Sequence, residues 1–284
     1  KSKKCNYLII YTINSKYQML INRKKVWQLS WPVILANFSI PLVGLTDTFI
    51  MGHMPSSEYL ASVAIGGIIF NFVYAGFNFL RMGTTGIVSQ EYGKKNYEEV
   101  LFSLLRPMII AIFCGITLNV FKEEIFDLSN HFFLTSQNIK ELYKNYLFVR
   151  ITGLPFGLFN IVMLGWFFGI QKTKFIMLQL FIINISNIFF SYYFSVILDY
   201  GITGVAFGSV VSQVIGSFFS IFLLFRINTY LNVSKLDFSN LFLFKKVLRI
   251  FFISKDLFIR TIFLVFAQAF LIKKSGLIGV NELA

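Results

Sequence analysis

Asp47 is the residue whose type and position point most directly to chemistry. It follows 21 uncharged residues, 26–46, and precedes Thr48, Phe49, Ile50, Met51 and Gly52, which places it in the last third of an apolar helix. An ionisable side chain in lipid is costly and faces a partner or a water-filled cavity. An acid at that depth can take up and release a proton, so Asp47 is a candidate ion-coupling group. The competing reading is an interfacial acid that caps the loop from Gly52 to Glu58. Pro41 lies six residues before it, cannot donate a backbone hydrogen bond, and should bend the helix and release the carbonyl of Asn37.

A second constellation is a polar stripe. Asn184, Asn187, Ser191 and Ser195 are separated by three, four and four residues, which puts them on one helical face. Leu180 occupies the next position on that face, and Gln179 is turned away from it. Such a stripe either hydrogen-bonds to neighbouring helices or lines an aqueous cavity; four polar residues in a row favour the cavity. At a rise of about 1.5 Å per residue, Asp47 and Ser191 differ in depth by only about 4 Å, so one pocket could hold both. Asn71, Tyr74, Asn78 and Arg81 form a lesser stripe, in which Arg81 sits near a helix end where snorkelling explains it. Ser209, Ser212, Gln213, Gly216 and Ser220 offer small and polar contacts that suit close packing as well as a binding site.

Soluble-enzyme chemistry is not expected. The chain has no P-loop, no HExxH and no GxSxG run. His53 and His131 are solitary, and Cys5 and Cys114 are far apart, so neither a metal site nor a cofactor is expected.

The elements that must position these residues are membrane helices. Of the 284 residues, 56% are hydrophobic and 14% charged, against about a quarter charged in soluble domains. Crossing about 30 Å of hydrocarbon takes roughly 20 apolar residues. Runs of that size lie at 26–46, 59–80, 101–121 if Arg106 is tolerated, 151–171, 175–198 and 200–225. A weaker seventh, about 247–272, contains Lys255, Asp256 and Arg260. The fold expected is therefore all-α, a polytopic membrane helix bundle. With the N-terminus in the cytoplasm, 18 Lys and Arg fall on that side and 5 on the other. The net charge of +13 is thus an orientation signal and an anchor to the lipid bilayer, not a nucleic-acid footprint. Residues 1–18 read as an extension upstream of a start at Met19, 19–225 as a six-helix lobe, 226–246 as a cytoplasmic loop, and 247–284 as the start of a second lobe.

Several runs resemble the multidrug and toxic compound extrusion (MATE) family, in its bacterial DinF-like branch. They are WQLSWPVILAN at 27–37, PLVGLTDT at 41–48 with Gly52 and His53, and RMGTTG at 81–86, which contains Arg81, Gly83 and Gly86. Arg150 with Gly153 and Pro155, LGWFFGIQ at 164–171, NISN at 184–187, GITGVA at 201–206, and Asp256 with Arg260 and Thr261 continue it in order. The resemblance implies twelve helices in two lobes around a central cavity. It also implies export of small organic, typically cationic, substrates in exchange for entering protons or sodium ions. Asp47 then matches the first-helix carboxylate of that pocket, Asn184 and Asn187 its fifth-helix asparagines, and Asn160 a fourth-helix one. Asn37, Pro41, Ser191, Ser209 and Gln213 join them as expected cavity residues, with Arg81, Gly83, Gly86 and Arg150 as structural motif residues. At Ser191 members of the family often carry an Asp, so coupling through two acids is not expected here. By the same comparison the chain is a fragment, with a second lobe on the same polypeptide or on a second chain. The rival readings are a lipid-linked precursor flippase and a truncated membrane protein that does not transport. The flippase needs a cationic cavity, whereas these stripes are neutral and Arg81 and Arg150 read as lying towards helix ends.

Overall fold

The uncharged runs become long helices because lipid offers no partner for backbone N–H and C=O groups, which a helix satisfies internally. The computed structural model describes residues 23–231 other than 55 and 134–136, with scattered helical positions between 255 and 267. Most of the expected seventh span, the extension before Met19 and most of the 226–246 loop lie outside the described residues.

Helix α1, Arg23–Gly52, continues through both Pro32 and Pro41. Helix α2, Ser57–Gly93, starts where the Ser56 side chain accepts a hydrogen bond from the Glu58 N–H. Helix α3, Tyr97–Val120, is capped in the same way by Asn96 and includes 101–105 together with Arg106. Arg106 is tolerated because Glu99, two turns earlier, pairs with it at 2.6 Å and the ring of Phe102 lies 5.3 Å from its guanidinium. Helix α7, Thr173–Tyr192, runs on through a π-helical turn, Tyr193–Ile197, and helix α8, Gly201–Leu231, follows a tight connection. That connection needs left-handed backbone at Asp199 and Gly201, which glycine adopts without strain.

Two features differ from the hydropathy reading. A short charged helix, α4, Lys122–Phe133, fills a segment otherwise read as an outer connection. The fourth span is not the straight 151–171: helix α5, Gln137–Ile151, and helix α6, Leu154–Gly169, meet at a bend of 52°. The cause is local. Pro155 in the first turn of α6 has no N–H to give and disfavours helical backbone before it, and Gly153 caps α6 without a side chain. Among the described residues five helices are long and apolar enough to cross a membrane, six when the bent pair counts as one span.

In the bundle, α7 packs on α1 and α8, while α6 packs on α2 and α3. Trp166 of α6 is fully buried and donates its indole N–H to the Val100 carbonyl at 3.0 Å. A Cβ on Gly165 would lie 2.5 Å from the Arg81 carbonyl oxygen, so only glycine lets α6 approach α2 this closely. Thr85 bridges the contact by donating to the Gly165 carbonyl at 2.9 Å. Arg81 is half-buried there, well inside α2 and not near its end; Gly83 is buried and Gly86 partly so, and none of the three lines the site described next.

Candidate functional site

The polar residues of α7 and α8 meet around one small cavity of about 80 Å³. Asn184 and Asn187 come from α7, and Ser209, Ser212 and Gln213 from α8. Tyr74 of α2, Val43 of α1, and Arg150 and Gly153 at the α5–α6 bend close it. Each α7 asparagine also ties two helices. Asn184 donates to Ser39 Oγ of α1 at 2.5 Å, and Asn187 donates to Ser209 Oγ of α8 at 3.0 Å.

Asn160 of α6 holds this arrangement from behind. It is buried and donates to both the side-chain and the backbone oxygen of Gln213 at 2.9 Å. In turn it accepts from Gln179 at 3.2 Å. Gln179, pointing away from the α7 stripe as its spacing implies, is thereby a fully buried polar link between α7 and α6. Its role was invisible in the spacing, since nothing in α7 says which residue of α6 it meets.

Asp47 lies on α1 one turn beyond Val43, on the same face, and is 8% exposed. Its Oδ1 has no hydrogen-bond partner among the described residues. It interacts electrostatically with Arg150 and Tyr146 but forms no ion pair with Arg150. The Arg150 guanidinium donates to the Tyr146 hydroxyl and stacks on the Phe70 and Tyr146 rings at 4.5 and 5.4 Å. The chain therefore sets an acid and a base near each other in an apolar setting, beside a cavity of hydroxyls and amides.

Arg150, read as a motif residue towards a helix end, does stand in the last turn of α5, at the bend, and it is also the one charged residue lining the cavity. The signal that locates it was Gly153 with Pro155, which breaks the helix just after Arg150. Tyr74, placed in the lesser α2 stripe, also lines the cavity, whereas Asn71 of that stripe is exposed. Asn37 and Pro41 are exposed on α1 and are not among the lining residues. Nor is Ser191. It is fully buried in the α7–α8 contact, where a Cβ on Gly208 would lie 2.5 Å from its hydroxyl oxygen. Ser195 is likewise buried and donates to the Gly201 carbonyl at 2.8 Å. Ser209 and Gln213 lie where expected, in the lining.

Residues 32–193 match the family model MatE. The DNA damage-inducible protein F of Escherichia coli K12 is 33% identical over 190 residues, covering 67% of this chain and 41% of that protein. A probable multidrug resistance protein NorM of Pasteurella multocida is 27% identical over 195 residues, 67% of this chain and 40% of that protein. Among solved structures, the outward-facing conformation of a multidrug resistance MATE family transporter of the MOP superfamily superposes with a TM-score of 0.74. It is 22% identical, and the match covers 84% of this chain and 52% of that one. A MOP superfamily transporter from Pyrococcus furiosus gives 0.73 at 21% identity over the same shares. The chain spans about half the length of these relatives or less, and the likeness to the solved structures is one of fold.

Proposed function

The chain belongs to the MatE family, a family of multi-pass membrane transporters, and we propose that it forms the ion-coupling lobe of a secondary active multidrug exporter. In this reading a proton or sodium ion enters through Asp47 while a small organic cation leaves. The protein sits in the inner (cytoplasmic) membrane with its N-terminus in the cytoplasm. The second lobe comes from the same polypeptide or from a second chain, since alternating access needs two halves that move about a shared site. The observation that carries the proposal is Asp47 itself. It is a buried acid with an unpaired oxygen, one turn from a polar cavity, in a helix long enough to span the bilayer.

Size separates coupling from cargo. Drug-sized ligands occupy pockets of about 300–1,000 Å³, and the cavity beside Asp47 has about 80 Å³. It suits ions and a few waters. The drug is then held in the larger space between this lobe and the second. The flippase alternative gains a cation in the cavity, Arg150, but the buried Asp47 with its unpaired oxygen favours ion-coupled export.

The test is Asp47→Asn in the native gene product, with accumulation of a fluorescent organic cation measured in cells. The expected result is loss of efflux at unchanged membrane expression. Unchanged efflux in that variant would overturn the proposal.

A further inference from the structure

We infer that the cavity beside Arg150 is a binding site for a small monovalent anion, of chloride or formate size, whose binding is strengthened when Asp47 is neutral. The argument begins with charge. Arg150 is the only charged residue in the lining, and among the described residues no carboxylate pairs with it. The Phe70 and Tyr146 rings and the Tyr146 hydroxyl satisfy part of the guanidinium. They supply no full negative charge, and a cation withdrawn from water is stabilised most by one.

The remaining lining fits the same ligand. Tyr74, Asn184, Asn187 and Gln213 carry O–H or N–H groups that can donate to an anion. The break at Gly153 adds the start of α6, whose dipole favours negative charge. Volume then sets the size: about 80 Å³ has room for a few waters, hence for an anion as small as chloride or formate.

Asp47 makes the inference specific. It is the acid that acts electrostatically on Arg150, so when ionised it competes with the anion for the same cation. Neutralising Asp47 leaves Arg150 to the anion, and by reciprocity the anion favours the neutral acid. A proton and an anion thus bind together, which lets a proton enter this apolar site without adding net charge. Tyr74 and Tyr146 are the other titratable groups that interact with Arg150.

The inference goes beyond the exporter reading, and its experiment fails separately from the efflux assay. The detergent-purified native protein is melted in gluconate, too large for the cavity, with chloride or formate titrated in at constant ionic strength. The wild type is expected to gain several degrees in melting temperature, saturably, with either small anion. Arg150→Gln should abolish the gain and Arg150→Lys should retain part of it. Asp47→Asn should lower the half-saturating concentration about fivefold or more, the lower end of ordinary site-to-site coupling. An equal gain in Arg150→Gln, no anion-specific gain in the wild type, or an Asp47→Asn titration that is unchanged or weaker would each overturn it. The wild-type and Asp47→Asn pair decides the matter even if Arg150→Gln does not fold.

Discussion

Helix α7 presents one polar face with two outcomes. Asn184 and Asn187, near its middle, line a cavity and bond across it to Ser39 and Ser209. Ser191 and Ser195, one and two turns on, lie in a dry seam where α8 comes in to backbone contact. Asn184, Asn187 and Ser191 share one face of α7, and Ser195 follows them in the π-helical turn, so the difference is set by what α8 brings against each. Opposite the serines stand Gly208 and Gly204, where a Cβ would lie 2.4 Å from the Ser191 nitrogen and 2.6 Å from the Phe194 carbonyl carbon. Opposite the asparagines stand Ser209 and Gln213, whose side chains hold the helices apart. Small residues close a helix pair in lipid, and larger polar ones leave room between its members.

The largest effect is expected from breaking the seam. In Gly208→Val even the first added carbon meets the Ser191 backbone, which cannot swing aside as a side-chain tip can. Overpacking ordinarily costs about 1–3 kcal/mol, and contact with backbone puts this site at about 3 or above. A steep drop in the melting temperature of the purified protein checks it. Gly76→Ala is the control, since nothing lies within 4 Å of its would-be Cβ. Equal melting of both variants would remove the distinction between the two regions.

A smaller effect is expected behind the cavity. Asn160→Leu strips the Gln213 side chain of its donor and takes from the fully buried Gln179 amide its side-chain acceptor, leaving it only the longer bond to the residue 160 carbonyl at 3.4 Å. An abandoned buried polar group costs about 1–3 kcal/mol. The melting temperature should fall accordingly, and Gln179→Leu in the same protein should restore much of it, because the two residues belong to one network. Failure of the second substitution to rescue would show that Asn160 acts mainly through Gln213.

How much of this was legible follows the range of each interaction. The spans could be read because an apolar run long enough to cross lipid has few other uses, and Asp47 stood out as the break in such a run. The bend after Arg150 was written in Gly153 and Pro155. A count of uncharged residues nevertheless ran straight through it, starting the span at 151 where α5 ends. Helix α4 escaped because it is short and charged, with no apolar run to mark it. The split of the α7 stripe was out of reach. Each α7 residue shows its face of the helix, but whether glycine or glutamine meets it depends on the register of α8. The same holds for Gln179, whose partner Asn160 is 19 residues away.

The smallest expected effect is the sharpest test of that split. Ser191 has a hydroxyl that is fully buried and, among the described residues, without a hydrogen-bond partner. Ser191→Ala therefore removes no bond and relieves a stranded polar atom, so stability should stay within about 0.5 kcal/mol of the wild type, as for substitutions that touch no special feature. Efflux should persist. Asn187→Ala, one turn earlier on the same face, loses its bond to Ser209 and changes the cavity wall. Bonds of this kind between membrane helices average about 0.6 kcal/mol, so its melting temperature too should move little while efflux falls. The pair separates the two halves of the stripe by function and not by stability. If Ser191→Ala also stops efflux, the serine hydroxyl reaches the coupling site during transport, and the seam opens in the working cycle.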